Sequence, residues 1–141
     1  MKIVYSLRED LDHIAAVQAA VRSPKPFGLK ATNALFGSDI WWQNIDTGII
    51  PLVRLTGTIA RLFRAGMQNE SECFEMIMPD GQTFQYDCKV AHRKDRKLYQ
   101  VGRKVEFCYV QQELKRPVMT TTGEVCDTHS RSIISIKIDE T

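Results

Sequence analysis

Positive charge is the most unevenly distributed chemistry in this sequence. Between residues 89 and 104 stand Lys89, Arg93, Lys94, Arg96, Lys97, Arg103 and Lys104 against Asp95 alone. That stretch carries +6, and the rest of a chain whose net charge is +2 carries −4. Cations gathered in this way act through their field: they neutralise phosphates with release of counterions, or they face an acidic surface on another molecule. Arg61 and Arg64 extend the set, and these nine residues are the candidate nucleic-acid-binding group. The competing expectation is a solvated loop whose like charges keep a sheet edge from pairing with another chain.

Trp41 and Trp42, with Phe36 nearby, form the second group. Neighbouring residues on a helix point in different directions, so at least one indole packs inside. The other is the candidate anchor for a protein partner, or a surface on which a base stacks. Burial of both is the alternative, given how often tryptophan lies in a core.

Other reactive types are scattered. Cys73, Cys88, Cys108 and Cys126 form no C-x-x-C pair, and His13, His92 and His129 share no ligand spacing with them apart from Cys126 and His129, three residues apart. A metal there needs two further ligands from elsewhere, and no metal or other cofactor is expected. Asp127, His129 and Ser130 have the residue types of nucleophilic catalysis, but neighbours in sequence rarely give that geometry. Glu70 with Glu72 and Asp139 with Glu140 read as solubilising carboxylates. The chain has no P-loop, no G-x-G-x-x-G and no H-E-x-x-H, so the expectation leans away from an enzyme.

The elements that must position these groups follow from periodicity. Ser6 and Glu9 have capping-box spacing, and Leu7, Leu11, Ile14, Val17 and Val21 recur at helical steps, which predicts a helix over 7–22 stopped by Ser23-Pro24-Lys25-Pro26. Ser38 is a plausible N-cap for a short helix over 39–46 that ends near Gly48. Beyond Pro51 the pattern changes to a period of two. Val53, Leu55, Ile59 and Phe63 share one side of a long strand with a bulge or bend expected at Gly57.

Residues 71–78 and 82–88 flank Pro79-Asp80-Gly81 and predict a hairpin. A three-residue loop pairs Met76 with Phe84 and Phe74 with Tyr86, so that the large apolar groups share a face. A two-residue loop would set Cys73 against Cys88, suggesting a disulfide, but would place Pro79 in a ladder position. The first register and free thiols are expected. Residues 89–97 read as a loop or short helix. Val105, Phe107 and Tyr109 mark a fourth strand, 116–130 a mobile loop, and Ile134, Ile136 and Ile138 a fifth strand.

At 141 residues, 43% hydrophobic and 26% charged, the chain is expected to close one core. No run approaches the roughly 18 apolar residues of a spanning helix. Arg8, Glu9 and Asp10 stand where a signal peptide needs its apolar region, so a cytoplasmic protein outside the membrane is expected. The fold expected is α+β: an N-terminal helical segment, 1–50, packed on a five-stranded antiparallel OB-like β-barrel, 51–141, within one domain.

Val101-Gly102-Arg103-Lys104-Val105 resembles the Val-Gly-x-x-Val lead-in to the fourth strand of OB-type RNA-binding barrels such as cold-shock domains. The resemblance covers about half the chain and implies a nucleic-acid-binding barrel. The second and third predicted strands depart from it, lacking the aromatic-rich motifs that stack bases in that family. An enzyme with an unrecognised site in the mouth of the barrel stays open, though nothing in the sequence promotes it, and two functions lead. One is a non-enzymatic binding module whose basic loop contacts nucleic acid or an acidic surface. The other is a protein–protein adaptor or inhibitor that uses the helical segment and the tryptophan pair. Oligomeric state is not legible.

Overall fold

β-branched and aromatic residues set at period two dictate most of the architecture. In a computed structural model, which describes residues 1–140, the strands are β1 (Lys2–Ser6), β2 (Leu52–Ala65), β3 (Ser71–Ile77), β4 (Thr83–Asp87), β5 (Lys104–Met119) and β6 (Val125–Ile138). They form a six-stranded sheet in the order β1-β6-β5-β2-β3-β4, and the pairs β1–β6, β2–β3 and β3–β4 are antiparallel. Helices α1 (Leu11–Arg22) and α2 (Asp39–Asp46), with 3₁₀ helices at Leu7–Glu9 and Arg93–Leu98, complete the elements. The α+β class holds, but the expected five-stranded OB-like barrel does not: the sheet has six strands and is open, with β1 and β4 at its two ends. Among the described residues no helix is long and apolar enough to cross a membrane.

Two differences from the sequence reading account for the change. Ile3, Val4 and Tyr5 form a strand too short to show a period, and its partner lies at the far end of the chain, with Lys2 opposite Ile138 and Ser6 opposite Ser135. Because Ser6 is committed to β1, the Ser6–Glu9 capping box does not form. Leu7–Glu9 makes a single 3₁₀ turn instead, and α1 starts at Leu11 after Asp10, whose side chain makes no cap bond. Most of the expected mobile loop over 116–130 is strand, the ends of β5 and β6, joined by a turn in which Thr120 N–H donates to the Glu124 carbonyl at 2.8 Å. Backbone pairing sustains those ends where most side chains are exposed, so hydrophobic alternation gave no signal there.

The chain divides into two compact units. The first comprises Met1–Ser6, Arg54–Cys108 and the residues from Ile134 onward; the second comprises Leu7–Val53 and Tyr109–Ile133. In the first, Val4, Ile59, Phe74, Met76, Val105, Phe107, Ile136 and Ile138 are fully buried. The β3–β4 hairpin has the expected register, Met76 opposite Phe84 and Phe74 opposite Tyr86, and the rings of Phe84 and Tyr86 lie 4.8 and 5.0 Å from that of Phe107. Its loop closes with Met78 N–H on the Gln82 carbonyl, and Gly81 at φ +87° takes the left-handed conformation that favours glycine.

The bulge in β2 falls between Ile59 and Arg61, not at Gly57. It sets Leu62 opposite Phe74 and moves Phe63 to the other face, opposite Cys73. Gly57 answers a different need: a Cβ there would lie 2.7 Å from the Ile77 carbonyl oxygen.

In the second unit Ser38 caps α2 as expected, its Oγ accepting from Trp41 N–H at 3.3 Å. Gly37, at φ +75°, leaves room for Ile14 of α1; a Cβ on it would meet Ile14 Cγ2 at 2.5 Å. Trp41 is the centre of this core. It is 0% exposed, lies 4.6 Å from the Phe36 ring, and donates through Nε1 to the buried Gln112 side chain at 3.4 Å. Trp41→Ala removes the largest buried side chain of the unit and should lower the unfolding free energy in urea by about 3–5 kcal/mol. A loss under about 1 kcal/mol would mean that the ring does not organise this core.

Candidate partner-binding surface

A 3₁₀ helix has three residues per turn, so positions three apart share an edge and the cylinder has three edges. In Arg93–Leu98 one edge is Asp95 and Leu98, and both are buried. The other two edges, Arg93 with Arg96 and Lys94 with Lys97, are exposed. The sequence therefore folds its charge run into a helix held by one edge and cationic on the remaining two.

The held edge rests on an ion pair. The Asp95 carboxylate accepts from Lys2 Nζ at 2.8 Å, which holds its pKa below the usual carboxylate value. Leu98 packs beside it. Tyr99 follows, its ring 5.3 Å from Phe74 and its hydroxyl donating to the Lys89 carbonyl at 2.6 Å; burial pushes its pKa up.

All nine candidate cations fall in the first unit, but they do not act alike. Arg64 and Arg96 converge on Glu72, the first at 3.0 Å, and Arg96 is the main reason that the Glu72 pKa is lowered. Arg61 pairs with Glu75 at 2.6 Å and lies over the Phe63 ring at 4.4 Å. Lys89 Nζ sits 4.5 Å from the Tyr5 ring centre, and Arg103 donates to the Asp139 carbonyl at 3.4 Å. Arg93, Lys94, Lys97 and Lys104 have no side-chain hydrogen bond, ion pair or ring contact among the described residues.

A cleft of about 280 Å³ opens beside Arg96, with Arg64 and Glu72 at its polar side and Leu62, Phe63 and Tyr99 as apolar walls. Cys73 and Cys88 also line it. Burial pushes the Cys88 thiol up to about 12 and raises Cys73 as well, so both stay protonated at neutral pH and neither has the environment of a nucleophile. All four cysteines are free thiols, Cys126 being the exposed one. Among the described residues no group of three or more His, Cys, Asp or Glu side chains is placed to hold a metal.

Glu72 and Asp95, the residues that organise this surface, were missed in the sequence. Glu72 and Glu75 face Arg64 and Arg61 across adjacent strands, a pairing that becomes visible once the β2 register is known. The Lys2–Asp95 pair joins residues 93 apart and leaves no local signal. The tryptophans are placed inside the second unit, Trp41 at 0% and Trp42 at 9% exposure, and Arg8 lies 4.1 Å over the Trp42 ring while pairing with Asp46. The exposed apolar groups of the helical segment include Leu11, Phe27, Ile40 and Ile49, at 70%, 69%, 62% and 60%, with Leu11 and Ile40 on its two α-helices.

Comparison with known proteins gives the class, an immunity-protein family, and membership of such a family implies a partner protein, a toxin. The family model described as Immunity protein RhsI2 matches residues 1–139, and the chain belongs to that family. No curated protein matches it. Of the two functions left open by the sequence, the protein-inhibitor reading has this support and the nucleic-acid reading does not.

Carboxylates with depressed pKa values, Asp95 and Glu72 among them, set a pH dependence. A carboxylate whose folded pKa lies below its unfolded value, about 4 for Asp and Glu, stabilises the fold above that value and ceases to do so as pH falls through the folded pKa. Asp95→Asn should therefore lower the thermal midpoint at pH 7, and the gap from the wild type should narrow as pH falls from about 5 toward 2. An unchanged gap across that range would show that the Asp95 charge contributes nothing to folding.

Proposed function

We propose that this protein neutralises its toxin by binding it and blocking its action, as a non-enzymatic inhibitor. The observation that carries this reading is the match of the Immunity protein RhsI2 family model to residues 1–139. The geometry supports it: among the described residues the Arg93, Lys94 and Lys97 side chains make no hydrogen bond or ion pair, while the inner edge of their helix is fixed. Occupancy suffices for inhibition, and the reading needs no covalent step. Trp41 and Trp42 serve it from inside, by holding α2 in place, and contact residues come from the exposed cations. The cytoplasm is its proposed compartment, a reading that four free thiols support.

The test is co-expression with the cognate toxin, followed by purification of the pair. Cells carrying both should grow where cells carrying the toxin alone do not. The two proteins should copurify with a dissociation constant in the nanomolar range or tighter, as interfaces burying about 1,200–2,000 Å² can reach. Continued toxicity, with no complex formed at micromolar concentrations, would reject the proposal.

A further inference from the structure

We infer that the two cationic edges of the 3₁₀ helix Arg93–Leu98, together with the cleft beside Arg96, receive an acidic segment of the toxin, with a carboxylate side chain seated between Arg96 and Arg64. The inference rests on the proposed function for its partner and adds where that partner docks and what chemistry it presents.

Three observations carry it. The first is uncompensated charge. Nearby cations are paired inside the chain, Arg61 with Glu75 and Arg64 and Arg96 together with Glu72, whereas Arg93, Lys94 and Lys97 make no side-chain hydrogen bond or ion pair among the described residues. The second is rigidity. A charge run that only solvates an edge needs no anchor, yet this helix is held by the Lys2–Asp95 pair and by buried Leu98, so a partner meets cations on a backbone that is already ordered.

The third is the cleft. Two guanidiniums share one carboxylate there, and each guanidinium has five N–H donors, of which Glu72 takes a fraction. Leu62, 46% exposed, and Tyr99 give apolar lining for the aliphatic stem of an Asp or Glu side chain. Arg93 lies on the same edge as Arg96, one turn earlier, and continues the charge away from the cleft.

The surroundings favour a protein over a nucleic acid. Glu70, Glu72 and Asp87 line the adjoining surface around Arg96. A phosphate backbone, charged at every step, would meet those carboxylates, whereas a protein segment can place single carboxylates opposite single cations.

The experiment measures association and dissociation rates with the toxin for the wild type and for Arg93→Gln/Lys94→Gln/Lys97→Gln, at about 25 mM and about 300 mM salt. Arg64→Gln and Leu11→Asp/Ile40→Asp are measured beside them. The triple variant should associate about tenfold more slowly at low salt, with the difference shrinking at high salt, and Arg64→Gln should speed dissociation. Because the three substituted side chains are exposed and make no hydrogen bond or ion pair among the described residues, the triple variant should keep a thermal midpoint close to the wild type, which separates a lost surface from a lost fold.

If the wild type fails to bind the toxin, the proposed function falls and this inference with it. If the wild type binds and the triple variant associates equally fast at low salt, the docking inference is overturned while the inhibitor reading stands. Loss of binding confined to Leu11→Asp/Ile40→Asp would move the interface to the helical segment. Capture of a 20-nucleotide oligonucleotide at about 150 mM salt by the wild type and not by the triple variant would likewise overturn it, in favour of a nucleic-acid surface.

Discussion

The ion pair between Lys2 and Asp95 is the constraint on which the exposed chemistry of the first unit depends. A carboxylate removed from water needs a partner, and the one available comes from the second residue of the chain. Lys2 can supply it because β1 pairs with β6, fixing the N-terminus against Ser135–Ile138. Ala91 N–H also donates to the Val4 carbonyl at 2.8 Å, so the segment leading into the helix is tied to the same strand. Asp95 thereby fixes which edge of the 3₁₀ helix turns inward, and the edges bearing Arg93, Arg96, Lys94 and Lys97 turn outward as a consequence. A single anion thus orients four cations.

What the sequence made legible was local. The β3–β4 register followed from side-chain parity and a Pro-Asp-Gly loop, and the cap on α2 followed from one serine, because in each case the determining groups lie within a few residues of one another. What stayed hidden was non-local or cancelled in the pattern. β1 is too short to show alternation and has its partner over 130 residues away. The bulge after Ile59 reverses the parity of β2, so Phe63, grouped with Ile59 by counting, lies on the opposite face. The Val-Gly-x-x-Val resemblance located a real strand start at Lys104, with Gly102 at φ +93°, but a strand start is a local feature and does not determine whether a sheet closes.

The candidate site was legible in composition and not in roles. Counting charge marked the segment that folds as the 3₁₀ helix, since the charge run includes its four exposed cations. It could not separate Arg64 and Arg96, whose charge is partly spent on Glu72, from Arg93, Lys94 and Lys97, whose charge is available. That division depends on the β2–β3 register, which sets Arg64 opposite Glu72 and Arg61 opposite Glu75. The tryptophan pair was misleading for the opposite reason. Large aromatic groups are frequent both in cores and at interfaces, and here the packing of Phe36, Trp41 and Gln112 fixes Trp41 inside while Arg8 covers Trp42.

The division of the cations into held and available also bears on selectivity. A uniformly basic patch attracts any anionic surface, with an affinity that falls steeply as salt rises. Interleaved carboxylates change that outcome, because Glu72 and Glu75 occupy the charges nearest the sheet and leave positive sites at discrete spacings along the 3₁₀ helix. A partner gains only where its carboxylates match those spacings, and a like-charged surface elsewhere is repelled. In the proposed docking, the acidic side chains that appear in the sequence to dilute the basic stretch therefore narrow the range of surfaces it can accept.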